Sequence, residues 1–369
     1  MKITRIRVFQ KDLSYVGGQY GWGRGNVIEV AKSSIVTIDT DAGLSGVGEF
    51  CPCGENYMEA HSQGVAAAAK LLAPKLLGQD PRQLGVIGRY MDNTVKGHGY
   101  AKAPFDAACW DILGKATEQP VWMLMGGKFN DGSPMYRVAP QKAIDETIKE
   151  MDAYRQIGYR HFQIKVGGDY KSDIERIHAA MDILKPGENA FADANQGWTI
   201  NEAVKVVRAV KDLDVMIEQP CPTYEECLHV REHTDLPMKL DECVTDMRMA
   251  QRIVQDRAAE VVCLKISNLG GLSKARLVRD FLVSNGLSVV SEDTWGGQIT
   301  TAALAHFAAS TPTEFLYNTT DLHNYNVENT GTPGPATRDG KLFAADTPGL
   351  GVEPDYDSLG EPVAVYESC

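Results

Sequence analysis

The 369-residue sequence contains no apolar run near the ~18 residues that a membrane-spanning helix requires. It has no Gly-x-Ser-x-Gly elbow and no P-loop, so the common serine-hydrolase and nucleoside-triphosphate signatures are missing. Basic residues are in deficit. The 37 Lys and Arg face 49 Asp and Glu, a net charge of −12, which argues against a nucleic-acid surface built from clustered cations. The first residues, MKITRIRVFQKD, lack the apolar core of a signal peptide, and the expected compartment is the cytoplasm. Cysteine pairs at zinc-site spacing are also lacking. Cys51 and Cys53 stand together as CPC, while Cys109, Cys221, Cys227, Cys243, Cys263 and Cys369 are scattered, as reduced thiols and small core residues would be. The histidines are dispersed too, and His61, His98, His161 and His306 read as structural.

What is present is an ordinary globular composition, 43% hydrophobic and 23% charged, long enough for one large core and a smaller companion domain. The pattern changes near residue 130. Before it, Ile3–Phe9 and Ser34–Asp39 alternate as half-buried strands, and TDAGLSGVGE supplies a turn and a further strand. Helical periodicity follows at 61–77, 81–91 and 101–117. In the last, Phe105, Ala108, Cys109, Ile112 and Leu113 share one face, which predicts an amphipathic helix. From about Met135, Val- and Ile-rich runs alternate with helical stretches every 20–30 residues. The predicted strands are 135–138, 161–165, 190–193, 215–218, 238–241, 261–265, 288–291 and 315–317. Helices are expected at 144–156, 173–184, 200–210 and 273–284. Eight βα units in this span favour a parallel (β/α) barrel, although periodicity alone also allows a doubly wound open sheet. The Gly- and Pro-rich tail is expected to run over the surface back to the N-terminal domain. The expected division is therefore 1–130, 131–320 and 321–369.

Three consecutive predicted strands end in carboxylates: Asp193 in FADAN, Glu218 in MIEQP and Asp241 in KLDE, spaced 25 and 23 residues apart. In a barrel these ends converge on the face where active sites lie. A single acid there reads equally well as a helix cap or an ion-pair partner. Three at one register on successive strands would repel one another, and a hard divalent cation resolves the conflict; an all-oxygen donor set points to Mg²⁺. An EF-hand reading of DANQGWTINE fails, because Gly197 and Glu202 fall at the wrong loop positions.

Two lysines complete the constellation. Lys165 ends the second predicted strand and Lys265 the sixth, four positions apart in an eight-membered ring and hence diametrically opposed. Either alone could be a snorkelling or phosphate-binding lysine; the pairing is the signal. Burial and a nearby cation are expected to lower their pKa toward general acid–base work. A cation that clamps a substrate carboxylate would stabilise the enediolate left when an α-proton departs. One lysine removes that proton. The other either returns a proton to the α-carbon or protonates a leaving group on the β-carbon.

These residues, taken with the whole chain, resemble the mandelate racemase-like branch of the enolase superfamily. A Lys or His base with Mg²⁺ is a known property of that superfamily and is carried by the resemblance. The resemblance implies an α/β fold, a modified (β/α) TIM-type barrel with an N-terminal α+β capping domain. It implies metal ligands at Asp193, Glu218 and Asp241, catalysts at Lys165 and Lys265, and homo-oligomers assembled through the capping domain. The family's lysine-x-lysine motif appears here as Gln163-Ile164-Lys165, in which Gln163 loses a cation and becomes a hydrogen-bond donor. Lys265, followed by Asn268-Leu269-Gly270-Gly271, matches the sixth-strand lysine of the dipeptide epimerases. The seventh strand ends in SEDTWGGQ, without the histidine of mandelate-type chemistry.

With CPCGENY, GHGYAKAPFDAACWDILGK and FQIK, this resembles the group acting on proline derivatives, which includes cis-3-hydroxy-L-proline dehydratases and proline-betaine 2-epimerases. Asp293 is expected to meet an α-ammonium, and Trp295 with Tyr57 to wall a pyrrolidinium ring, although Trp295 also reads as core packing. The segment SYVGGQYGWGRGN is expected to form a second lid, with Tyr20 and Trp22 packing it closed. The implied reaction is dehydration of cis-3-hydroxy-L-proline to Δ1-pyrroline-2-carboxylate, on a small-molecule substrate with no nucleic-acid or membrane partner. Epimerisation of proline betaine by 1,1-proton transfer is the alternative, and a non-enzymatic metal-binding or structural role the second.

Overall fold

A computed structural model describes residues 1–368; Cys369 lies outside the described residues. The N-terminal segment alternates inward and outward residues long enough to form three antiparallel strands, β1 (Ile3–Ser14), β2 (Val30–Thr40) and β3 (Ser45–Phe50). Both early strands run further than expected. Three helices cover one face of this meander: α1 (Gln63–Leu76), α2 (Leu84–Thr94) and α3 (Gly99–Ala116). Ile3, Ile6, Val36, Ile38, Phe50, Leu72, Phe105 and Ile112 form their shared core.

Helix α3 departs from the amphipathic expectation, because Tyr100–Ile112 is buried on every side, including Lys102, Asp106 and Asp111. It lies between the meander and the barrel and has no solvent face. Its approach to β3 is close enough to require glycine: a Cβ on Gly46 would sit 2.2 Å from the Ala108 carbonyl oxygen, and one on Gly48 2.0 Å from that of Pro104.

The second half is the expected barrel. Its strands are β4 (Tyr136–Ala139), β5 (His161–Lys165), β6 (Asn189–Asp193), β7 (Met216–Glu218), β8 (Met238–Leu240), β9 (Val261–Lys265), β10 (Ser288–Glu292) and β11 (Leu316–Thr319). Neighbours pair in parallel throughout, and a Met135–Thr319 bridge joins the last strand to the first, which excludes the open-sheet alternative. The crossover helices are α4 (Ile144–Gln156), α5 (Tyr170–Asp182), α6 (Ile200–Ala209), α7 (Tyr224–Arg231), α8 (Met247–Asp256), α9 (Leu272–Ser284) and α10 (Gln298–Ala309). Strand parity sends alternate residues inward, so Tyr136, Val138, Phe191, Met216, Val261, Cys263 and Val290 pack the barrel's interior. The chain then returns to the N-terminal sheet, where β12 (Ala364–Glu367) pairs antiparallel with β1.

Candidate active site

The inward parity that packs the barrel floor also delivers charge to its C-terminal mouth. On β5 it places Gln163 and Lys165 inward, on β6 Asp193, on β7 Glu218, on β9 Lys265 and on β10 Glu292; Asp241 follows β8 by one residue. None of the three strand-end acids is used as a helix cap. Asp169, Thr199, Thr223 and Asp246 cap α5 to α8 instead, the two threonines through full capping boxes.

The three acids, both lysines and Gln163 gather at one buried centre. Lys165 Nζ lies 2.6 Å from Asp193 Oδ2 and 2.8 Å from Asn195 Oδ1. Gln163 donates through Nε2 to Asp193 Oδ2 and Glu218 Oε2, each at 3.0 Å, acting as a strut between two acids. Lys265 Nζ lies 2.7 and 2.6 Å from the two Asp241 oxygens and 2.9 Å from Glu292 Oε1. Tyr57, from the capping-domain loop, donates to Asp241 Oδ2 at 3.3 Å.

Three charged residues here were absent from the expected set, Lys239, Glu242 and Glu292. Lys239 is fully buried on β8, 2.7 Å from Glu218 Oε1 and 4.6 Å from the Phe191 ring centre. Lys239 and Glu292 share an inward parity, Lys239 with Asp241 and Glu292 with the interior Val290. That parity is the signal that would have found them. Asp293 lines the cavity over the site and is also held locally. Its carboxylate accepts from Ser267 N at 3.0 Å, Thr294 N at 2.8 Å and the Ser267 hydroxyl, so it braces the short helix after Lys265. Burial pushes it up to about 6.

The electrostatics show a shortage of positive charge. Asp193, Glu218, Asp241, Glu242, Glu292 and Asp293 are buried together, against Lys165, Lys239 and Lys265. Burial and then Asp193 push the Glu218 carboxyl well above the usual range, and burial with Asp241 raises Glu242 to about 8. Glu242 Oε2 is buried without a hydrogen-bond partner. A surplus of oxygen donors with unmet charge fits a divalent cation. Asp241, Cys263 and Glu292 also cluster within 4.8 Å, but Lys265 Nζ already sits among them. The lysine pKa values move opposite to expectation. Burial is the largest influence and would lower Lys165 and Lys265, but their anionic neighbours together, Asp193 foremost for Lys165 and Asp241 foremost for Lys265, raise both.

Above the charged centre is a cavity of about 30 Å³. Gln163, Lys165, Asn195, Glu292 and Asp293 form its polar side, and Tyr20, Trp22, Tyr57, Trp295 and Tyr325 its aromatic side. Trp295 donates through Nε1 to Asn326 Oδ1 at 2.8 Å and lies 5.0 Å from the Tyr20 ring. Tyr20 and Trp22 come from the glycine-rich segment, which is docked on the barrel through Arg24 N to Gly167 O and Arg24 Nε to Gly197 O, both 3.0 Å. A larger groove of about 1000 Å³ lies outside, between capping domain and barrel, and shares Tyr57 and Thr294 with the inner cavity. It contains neither Lys165 nor Lys265, whereas the inner cavity is lined by Lys165 and by Glu292, the partner of Lys265.

Comparison with known proteins agrees with this construction. Residues 146–358 match the enolase C-terminal domain-like family, and residues 26–126 match the mandelate racemase/muconate lactonizing enzyme N-terminal domain. A cis-3-hydroxy-L-proline dehydratase from Roseibium aggregatum is 48% identical over 99% of this chain and 100% of its own. An N-succinyl-L-Arg/Lys racemase from Bacillus cereus is 30% identical over 98% of both chains. A crystal structure of a mandelate racemase/muconate lactonizing enzyme from Roseovarius nubinhibens superposes with a TM-score of 0.97 at 64% identity, covering 100% of this chain and 99% of that one. A second structure from that organism, complexed with magnesium, has a TM-score of 0.96 at 34% identity, over 99% and 100% of the two chains. The chain belongs to the mandelate racemase/muconate lactonizing enzyme branch of the enolase superfamily.

Proposed function

We propose that the protein dehydrates cis-3-hydroxy-L-proline to Δ1-pyrroline-2-carboxylate with Mg²⁺ as cofactor. The observation that carries this reading is the pair of buried lysines on β5 and β9, four strands apart, at an aromatic-walled barrel mouth. The dehydratase relative, similar over its whole length, supports it. Asp193, Glu218 and Asp241 would hold the cation. Bound there, it would supply the positive charge that stabilises a substrate carboxylate as its α-proton leaves.

The rest is done by the chain. In the substrate the 3-hydroxyl is cis to the carboxylate and therefore anti to the α-proton. Lysines on opposite faces serve both ends of that elimination: one amine takes the α-proton while the other ammonium protonates the departing hydroxyl as water. The enamine then tautomerises to the ring imine. Tyr57, Trp295 and Tyr20 present aromatic faces to the ring and exclude water. Gln163 keeps Asp193 and Glu218 apart and oriented. In this reading residues 131–320 carry the chemistry, and 1–130 with 321–369 close it. Homo-oligomerisation is part of the same proposal, and light scattering checks it.

One observation favours the alternative. The aromatic wall also suits a quaternary ring nitrogen. Incubation with Mg²⁺ in D₂O, followed by NMR, separates the two. Loss of water from cis-3-hydroxy-L-proline with a pyrroline product supports the dehydratase. Solvent exchange at the α-carbon of proline betaine, with hydroxyproline unchanged, would overturn it.

A further inference from the structure

We infer that Glu292 is a positioning residue, its carboxylate holding Lys265 at its post independently of the metal-binding acids. Each lysine at the mouth has one partner that a cation would claim and one that it would not. For Lys165 these are Asp193 and the neutral Asn195 amide. For Lys265 they are Asp241, which offers both oxygens, and Glu292 at 2.9 Å. An Asp241 that ligates a cation cannot also give both oxygens to an ammonium, so Glu292 is the anionic contact that Lys265 keeps.

The geometry is built for that purpose. Lys265 and Glu292 are Cα partners in the β9–β10 ladder, so the two side chains leave adjacent strands at one level. Glu292 is 6% exposed, and its second oxygen is fixed from below by the Cys263 thiol at 3.5 Å, with Lys239 Nζ at 3.8 Å. Glu292 also lines the inner cavity. The two lysines are therefore inequivalent, one on a charged strut and the other on an amide.

The inference rests on the two-lysine reading, which wild-type turnover tests by itself. In the full-length enzyme with Mg²⁺, Glu292→Gln should lower kcat by about 30-fold while KM changes less than about threefold. The same substitution should cost under about threefold in a Lys265→Arg background but its full factor in a Lys165→Arg background. Equal losses in both backgrounds, or a loss confined to KM, would overturn the proposal. Crystals of Mg²⁺-loaded Glu292→Gln give a readout that needs no turnover. Lys265 Nζ should move by more than about 1 Å while Lys165 stays; an unmoved Lys265 would also overturn it. If the wild type does not dehydrate hydroxyproline, the proposed substrate fails and the crystal measurement still decides the role of Glu292.

Discussion

Two buried polar regions of this molecule use the same residue types to opposite ends. At the seam between capping domain and barrel, each carboxylate is answered by the chain. Helices α9 and α10 begin at Gly271 and Gly297, which have no side chain to cap them. The capping domain provides the caps. Asp106 accepts from Ser273 N and Oγ at 2.9 and 2.6 Å, and Glu49 from Gly297 N and Thr300 N at 2.9 and 2.8 Å. Asp111 accepts from Val47 N and Leu350 N at 3.1 and 2.8 Å. At the mouth the acids instead face one another and too few lysines. Acids satisfied by backbone hold a fold together; acids stacked on one another await a cation.

This contrast yields predictions that separate activity from stability. The largest effect belongs to the mouth: Lys165→Ala and Lys265→Ala should each reduce turnover by about 10³-fold or more, with far-UV circular dichroism unchanged. Substantial activity in either would refute two-lysine chemistry. At the seam, Glu49→Ala should cost about 3 kcal/mol in denaturant unfolding, since it orphans two N–H groups at the start of α10 and takes one acceptor each from the Ser33 and Thr330 hydroxyls. Turnover of the folded enzyme should hardly move.

His306 is expected to act through pH. Its Nδ1 accepts from Trp122 N and its Nε2 faces Leu350 O, both at 3.1 Å, which assigns the neutral Nε2–H tautomer. Burial lowers its pKa to about 4. A depressed pKa contributes stability that is present above the unfolded value near 6.5 and lost as pH falls toward 4, up to about 3 kcal/mol. His306→Gln should flatten the dependence of Tm on pH in that window; an unchanged slope would remove His306 as its source. The smallest effect is thermodynamic: Asp241→Asn should weaken Mg²⁺ binding about 10-fold or more by calorimetry without lowering Tm. A loss of Tm comparable to that of Glu49→Ala would erase the distinction between the two regions.

The barrel was legible because its signal is repetitive. Strands β5 and β9 match the expected 161–165 and 261–265 residue for residue, and both end in the lysines that mark the mouth. The helix at 144–156 matches as well. What escaped has physical causes. Helix α3 carries an apolar face in sequence, yet a second layer buries its polar face too, and nothing local announces that layer. Lys239 and Glu292 were legible in principle from inward parity, but a Lys between Met and Leu reads as a solvated strand position. The local partners of Asp293, Ser267 N and Thr294 N, are backbone groups without a sequence signature. Asn195, Gln196 and Gln219 adopt left-handed φ of 41°, 65° and 31° beside the acids, strain that none of these residue types declares in advance.

The central claim is that the acids at the barrel mouth are gathered for a cation. Titrating the metal-free protein with Mg²⁺ while following Tm tests it most directly. A saturable rise that disappears when Asp193, Glu218 and Asp241 are changed together to their amides is the predicted result. A Tm indifferent to Mg²⁺, or an equal rise in the triple variant, would contradict it.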